Sequence, residues 1–323
     1  MNRHFNRRES AVGRKPHLRK VRFCAKRTSA LLWRSRRSQF SLHGTAEGNT
    51  AGPALRRYVL SFFGWSGFGK RTVRRREFIA LVSSAAAIQP LGARAERPPE
   101  RILYFTYSAG YRHDAIPLSK AILAQLGRNS GAFEVTATED TSEFSTENLE
   151  RYAAVMFYTT GELPMSGGQK TALLNFVRSG RGFLGVHSAT DTFYAWPDYL
   201  DLIGGYFNGH PWHQVVTIQV ADAADPVVAF LGNSLQLMDE IYQISDFDYR
   251  GSRVLLRLDQ SSVDLGRTGV HQRFYGWPLA WKRSFGEGRV FYTSLGHEAS
   301  VWQDPRYQRL LTNAVLWSTR RSP

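Results

Sequence analysis

From Arg101 onward, apolar positions recur at two different periods, and the two take turns along the chain. Arg101 to Tyr107 is a β-branched and aromatic run that predicts a buried strand. Pro117 to Leu126 spaces its apolar residues as a helix does, with Gly127 as the expected stop. Phe133 to Thr138 alternates as a strand, Ser145 opens a short helix, and Ala153 to Tyr158 is the next strand. Gln169 to Arg178 sets Leu173, Leu174 and Val177 on one helical face, and Gly180 ends it. Gly182 to Val186 is again a strand. This strand and helix alternation predicts an α/β fold, a parallel sheet with helices on both faces.

The second half is richer in strands. Gln214 to Val220, Val254 to Leu258, Pro278 to Trp281 and Arg289 to Ser294 all carry strand patterns, and Arg306 to Trp317 closes the chain as a helix. No internal repeat interrupts this order, and no linker follows residue 100. One elaborated domain over 96–323, with an added β-rich segment, is the expected architecture.

Charge divides the chain differently. Residues 1–96 hold 21 Lys and Arg against 4 Asp and Glu, a net of +17, while 97–323 hold 21 against 23, a net of −2. The basic excess therefore belongs to a tail or targeting segment. Nucleic-acid binding needs a basic face on the folded part, which has no such excess. Within the tail, Arg75-Arg76-Glu77-Phe78-Ile79 matches a twin-arginine core. The apolar run from Ile79 to Ile88 is too short to span a bilayer as a helix. Ala93-Arg94-Ala95 follows as a small-x-small cleavage signal. The segment 73–95 thus predicts a signal peptide for twin-arginine export, a mature chain from Glu96, and a periplasmic or extracellular location. Residues 1–72 fit no signal region and read as a disordered or mis-assigned upstream extension.

Cys24, the single cysteine, lies in that tail, so the mature part has no thiol nucleophile and no thiolate ligand. Six of the nine histidines are in the mature part: His113, His187, His210, His213, His271 and His297. In an open α/β sheet, ligands bind beyond the carboxyl ends of the strands. His187 follows the strand Gly182 to Val186 on a tight turn, the position of a nucleophile elbow. An imidazole there is a base, a hydrogen-bond anchor or a metal ligand. His113 follows the first strand and His297 the last, so several rings are expected to converge. Imidazoles with carboxylates suit zinc or a similar divalent ion, and equally suit metal-free acid and base work. His271 has no partner motif and reads as a surface residue. Trp196 and Trp212 flank the His187 and His210 loops and are the expected platforms for a sugar ring. Neither a GxGxxG nor a GxxxxGK[ST] pattern occurs, so no nucleotide cofactor is expected.

Six segments in order carry a family resemblance: Gly110 to His113, Gly182 to Thr192, Gly204 to Pro211, Asp239 to Tyr242, Pro278 to Trp281 and Gly288 to His297. Together they resemble the ThuA-like, or trehalose-utilization, proteins. The resemblance implies a flavodoxin-like fold of the class I glutamine amidotransferase type. Amidotransferases carry Cys at the elbow and a His and Glu pair on a later loop. His187 takes the first place here, and His297-Glu298 resembles the second. Without the thiol, glutamine hydrolysis through a thioester is excluded. The family implies carbohydrate metabolism, with a step on keto-sugars made by a partner dehydrogenase.

The expected catalytic groups are then His187, His297, Glu298 and Asp191. The expected substrate contacts are His113, Trp196, Trp212 and Glu240. The expected ligands of a divalent metal are His187, His113, His210 and His297. Two functions stay open: an exported isomerase, lyase or hydrolase of sugars or keto-sugars, and a carbohydrate-binding protein without turnover. A homo-oligomer is also left open.

Overall fold

The computed structural model describes residues 97–271 and 276–323. The basic stretch 1–72 and the twin-arginine segment 73–95 lie outside the described residues. Among the described residues, no helix is long and apolar enough to cross a membrane.

The first half alternates as its periodicity predicts. Strand β1 (Glu100–Phe105) leads to helix α1 (Ile116–Ser130), β2 (Phe133–Thr138), α2 (Thr146–Leu149), β3 (Ala154–Phe157), α3 (Gly167–Arg178) and β4 (Gly182–Val186). These strands are parallel, and β11 (Gly288–Thr293) joins them beside β4. The order β2-β1-β3-β4-β11 is the doubly wound, flavodoxin-like arrangement. Side chains of β1 alternate between the two faces. Ile102 and Tyr104 enter one core with residues of α1, α5 (Ala299–Gln303) and α6 (Pro305–Ser318). Leu103 and Phe105 enter the other with residues of α3 and α4 (Pro197–Ile203). Each fully buried Leu, Val or Phe contributes roughly 1.5–3 kcal/mol, so β3 and β4, buried at every position, anchor the middle of the sheet.

The strand-rich half extends the same sheet. Beyond β11 run β10 (Pro278–Phe285), β9 (Ser252–Leu258), β6 (Trp212–Val220) and β7 (Ser234–Ile241), each antiparallel to its neighbour. The result is one mixed sheet of nine strands, with β7 at its edge. A separate ribbon pairs β5 (Tyr206–Phe207) with β8 (Ile244–Ser245).

Three features depart from the sequence reading. Gly127 does not stop α1, which continues to Ser130 and is capped by left-handed Gly131. Gly127 is instead a point of close approach: a Cβ there would stand 2.5 Å from the Phe133 carbonyl oxygen. Helix α4 and strand β7 carry no strong pattern of their own, and β10 runs past Trp281 to Phe285.

Candidate functional site

Strand β4 leaves the sheet in extended geometry at Val186, and His187 turns at once to φ 47. A non-glycine residue at positive φ is costly, by about 1–3 kcal/mol. Several contacts hold it there. The His187 carbonyl accepts from the Tyr292 hydroxyl at 2.7 Å, and its Nδ1 donates to the Ser294 carbonyl at 2.7 Å. A carbonyl only accepts, so Nδ1 carries the proton and Nε2 keeps its lone pair. Nε2 accepts from the Tyr242 hydroxyl at 3.0 Å.

Three more groups meet this nitrogen. His113, on the loop after β1, packs its ring edge-on to His187 at 4.7 Å. Its Nδ1 is buried without a hydrogen-bond partner. His297, on the loop after β11, places Nδ1 3.3 Å from His187 Nε2. Glu240, near the end of β7, places Oε2 3.3 Å from His297 Nδ1 and 3.6 Å from His187 Nε2. Its Oε1 lies 3.0 Å from His210 Nδ1. One ligand atom each from His113, His187, Glu240 and His297 falls within 4.8 Å of the others. Three imidazoles and a carboxylate at such range form a donor set for a divalent cation of the zinc type. The His187 contact to Ser294 is the backbone support that metal-bound imidazoles commonly have.

The charges are divided unequally. Burial, aided by the neighbouring His297, pushes His113 down to about 4. Burial drives His187 well below its ordinary value, with His113 adding to the effect. His297 moves the other way, raised by its hydrogen bond and attraction to Glu240. Burial would raise Glu240, but the surrounding imidazoles outweigh it and hold the carboxylate below its usual range. The contact between them thus favours the protonated ring at His297 and the ionised carboxylate at Glu240.

The loop bearing His297 is clamped from behind. The buried Asp239 carboxylate accepts the backbone N–H groups of Gly296 at 2.7 Å, His297 at 3.1 Å and Glu298 at 3.0 Å. Burial still pushes Asp239 up to about 7, against the pull of these donors.

A cleft of about 350 Å³ opens over the cluster, lined by Tyr111, His113, Asp191, Phe207, His210, Glu240, Tyr242 and His297. Asp191 is raised by burial and accepts from the Tyr194 hydroxyl at 2.7 Å. Of the expected residues, His113, His187, His210, His297, Glu240 and Asp191 thus meet in one place. Glu298 points elsewhere, to His213 at 2.7 Å. His271 is exposed, away from this lining.

The two expected sugar platforms are a correction. Trp212 is 0% exposed, edge-on to Trp277, with its Nε1 donating to the Asp264 carbonyl at 3.0 Å. Trp196 is 8% exposed, packed against Phe193 and Tyr199. Rings closed in on both faces have no surface to offer a sugar. The cleft takes its aromatic faces from Tyr111, 62% exposed at the rim, and from Phe207 and Tyr242. Tyr242 and Asp239 lie in a motif visible in the sequence, but their roles were not. The available signal was Leu235-x-Leu237-x-Asp239-x-Ile241, a strand alternation with a carboxylate in a core position.

This architecture has counterparts. The profile of a protein family named ThuA, described as trehalose utilisation, matches residues 101–318. The chain belongs to the ThuA family. A ThuA-like protein from Bacteroides uniformis ATCC 8492 shares the fold at a TM-score of 0.60 and 25% identity, over 69% of this chain and 93% of its own. A ThuA-like protein from Parabacteroides merdae ATCC 43184 does so at 0.55 and 21% identity, over 68% of this chain and 90% of its own. No curated protein matches the sequence. Among the described residues of this ThuA-like chain, the elbow imidazole and its three companions are the one grouping that combines burial, an unpartnered ring nitrogen and an open cleft.

Proposed function

We propose that this ThuA-like protein is an exported, cation-dependent enzyme that acts on a sugar or keto-sugar of the trehalose type. The observation that carries the reading is the convergence of His113, His187, Glu240 and His297, with His113 Nδ1 unpartnered and His187 Nε2 3.3 Å from His297 Nδ1 and 3.6 Å from Glu240 Oε2. A zinc-type ion held there would polarise a carbonyl or hydroxyl oxygen. The cleft volume of about 350 Å³ lies near the lower end of the roughly 300–1,000 Å³ usual for small-molecule sites. It suits a mono- or disaccharide ring, for which Tyr111 offers the stacking face.

The remaining polar groups of the cleft fit proton transfer. A keto-sugar has an acidic proton beside its carbonyl. His210, held on Glu240 Oε1, is placed to take such a proton, and Asp191 to return one to the neighbouring oxygen. That pairing supports isomerisation, or elimination followed by hydration. The family description supports carbohydrate as the substrate class. The twin-arginine segment supports action outside the cytoplasm.

Metal analysis of the purified chain tests the reading, with His187→Ala as the control. A bound divalent ion lost in the variant, together with lost turnover of a keto-sugar derived from trehalose, is expected. A chain that binds no ion, or that turns over equally well as the variant, overturns it. A second reading, a sugar-binding protein without turnover, is favoured by the exposed Tyr111 ring at the rim. It requires sugar affinity to survive His187→Ala and fall in Tyr111→Ala, with no turnover in either. For export, replacing Arg75 and Arg76 by Lys is expected to leave the chain in the cytoplasmic fraction.

A further inference from the structure

His297 has two ring nitrogens and two sets of neighbours. Nδ1 faces His187 and Glu240, each at 3.3 Å. A second group surrounds the same ring: His213, His297 and Glu298 each offer a ligand atom within 4.8 Å of the others. The His213 and His297 ring centroids are 5.3 Å apart, and His213 Nε2 lies 2.7 Å from Glu298 Oε1. Strand register produces this doubling. His213 of β6 is paired directly with Glu240 of β7, so the two side chains start from the same face of the sheet, about 4.5–5.5 Å apart at Cβ. Glu240 joins the inner group and His213 the outer one. The Asp239 carboxylate fixes the backbone of both His297 and Glu298, so the shared ring and the outer carboxylate are presented together. An isolated, half-exposed His and Glu pair contributes at most about 1 kcal/mol and needs no such clamp.

We propose that His297 bridges two cations. The inner ion sits on Nδ1 with His113, His187 and Glu240, and so rests on the function proposed above. The outer ion sits on Nε2 with His213 and Glu298. Two imidazoles and a carboxylate give the outer ion three protein ligands and leave a fourth, solvent-facing position for water or a substrate oxygen. Ions joined through one imidazole stand about 6 Å apart, two metal–nitrogen bonds plus the ring. Carboxylate-bridged pairs stand closer, at roughly 3.5–4 Å. A ring that ligates through both nitrogens would be an imidazolate: its ring protons would pass to solvent as the ions bind, and its negative charge would be shared between the two cations.

The test is a Zn²⁺ titration of the chelator-stripped full chain by calorimetry, with anomalous scattering from crystals of the loaded protein. Two equivalents are expected, with the peaks about 6 Å apart. His213→Ala, a change at an exposed ring, is expected to lose the outer equivalent and keep the inner one. Glu298→Gln is expected to weaken the outer equivalent at least tenfold. A single equivalent that is unchanged in His213→Ala overturns the outer site and leaves the inner one standing. A parent chain that binds a single equivalent, retained in His187→Gln and lost in His213→Ala, overturns the inner site, and the bridge with it. Two peaks at about 4 Å overturn the shared imidazole. No binding at all overturns both sites.

Discussion

On the cation site proposed above, a proton and a cation would compete for the same nitrogen at His297. Zinc takes the neutral imidazole, so affinity follows the protonation of each ligand. His113, pushed down to about 4, and His187, lower than usual through burial, compete little near neutrality. His297 is raised above the ordinary 6.5 by Glu240. Zinc affinity is therefore expected to climb as pH rises through that raised value and then level off. Calorimetry of His213→Ala, in which the ring would hold the inner ion alone, in buffers of different ionisation heat should read the release of about one proton. A pH-independent affinity would contradict the raised value of His297. Asp239 gives a second test. Its folded value of about 7 stands above the ordinary 3.8, so between the two the folded chain binds more protons than the unfolded one. Its contribution to stability is greatest below about pH 4 and is lost as pH rises to about 7. Thermal melts of the metal-free chain should show that decline, and Asp239→Asn should flatten it. The same variant turns an amide N–H₂ toward backbone donors that the carboxylate held, and is expected to cost about 10–100-fold in zinc affinity.

Elements deliver these residues, and their ends are fixed by local chemistry. Helix α3 begins with a reciprocal cap: the Ser166 hydroxyl accepts from Gln169 N at 3.2 Å, and the Gln169 side chain accepts from Ser166 N at 2.8 Å. Ser166→Ala is expected to lower stability by about 1 kcal/mol while leaving metal binding unchanged, as read by denaturant unfolding and zinc titration. Gly185 in β4 is a different case. A Cβ there would stand 2.9 Å from Tyr292 Cδ2 and 3.1 Å from Ala189 Cβ. Gly185→Ala is expected to cost about 1–3 kcal/mol through overpacking. It should also weaken zinc binding, because Tyr292 holds the His187 carbonyl. The elements easiest to foresee were those with one clean period, such as β4, predicted with the bounds it has. Helix α4 was missed because seven residues leave too short a repeat. Strand β7 was missed because its outward positions mix Ser, Gln and Met, and its inward row includes a charge.

At the scale of the molecule, the doubly wound half was legible because buried parallel strands are uniformly apolar and their helices amphipathic. The antiparallel order of β10, β9, β6 and β7 was not, since pairing partners are set by long-range packing and no local pattern encodes them. The site was legible for the same reason as the fold. His113, His187 and His297 follow three strands of the parallel half, which place them on one edge. Trp196 and Trp212 were misjudged because sequence proximity to a loop says nothing about which way a ring turns. Saturating zinc is expected to raise the melting temperature reversibly, with about 2.7 kcal/mol gained at a free concentration one hundred times the dissociation constant. A chelator should abolish the shift, and His187→Ala should lose the part of it that the inner ion supplies.

The edge position of β7 has a consequence for assembly. Glu240 lies on β7, separated from β11 in the finished sheet by β10, β9 and β6, and pairings between strands distant in sequence form slowly. Capture of the ion would thus come late, as a seal on a finished molecule and not as a seed for it. On the proposed export and cation site, a precursor that took up the ion before leaving the cell would already be a fully wound cargo.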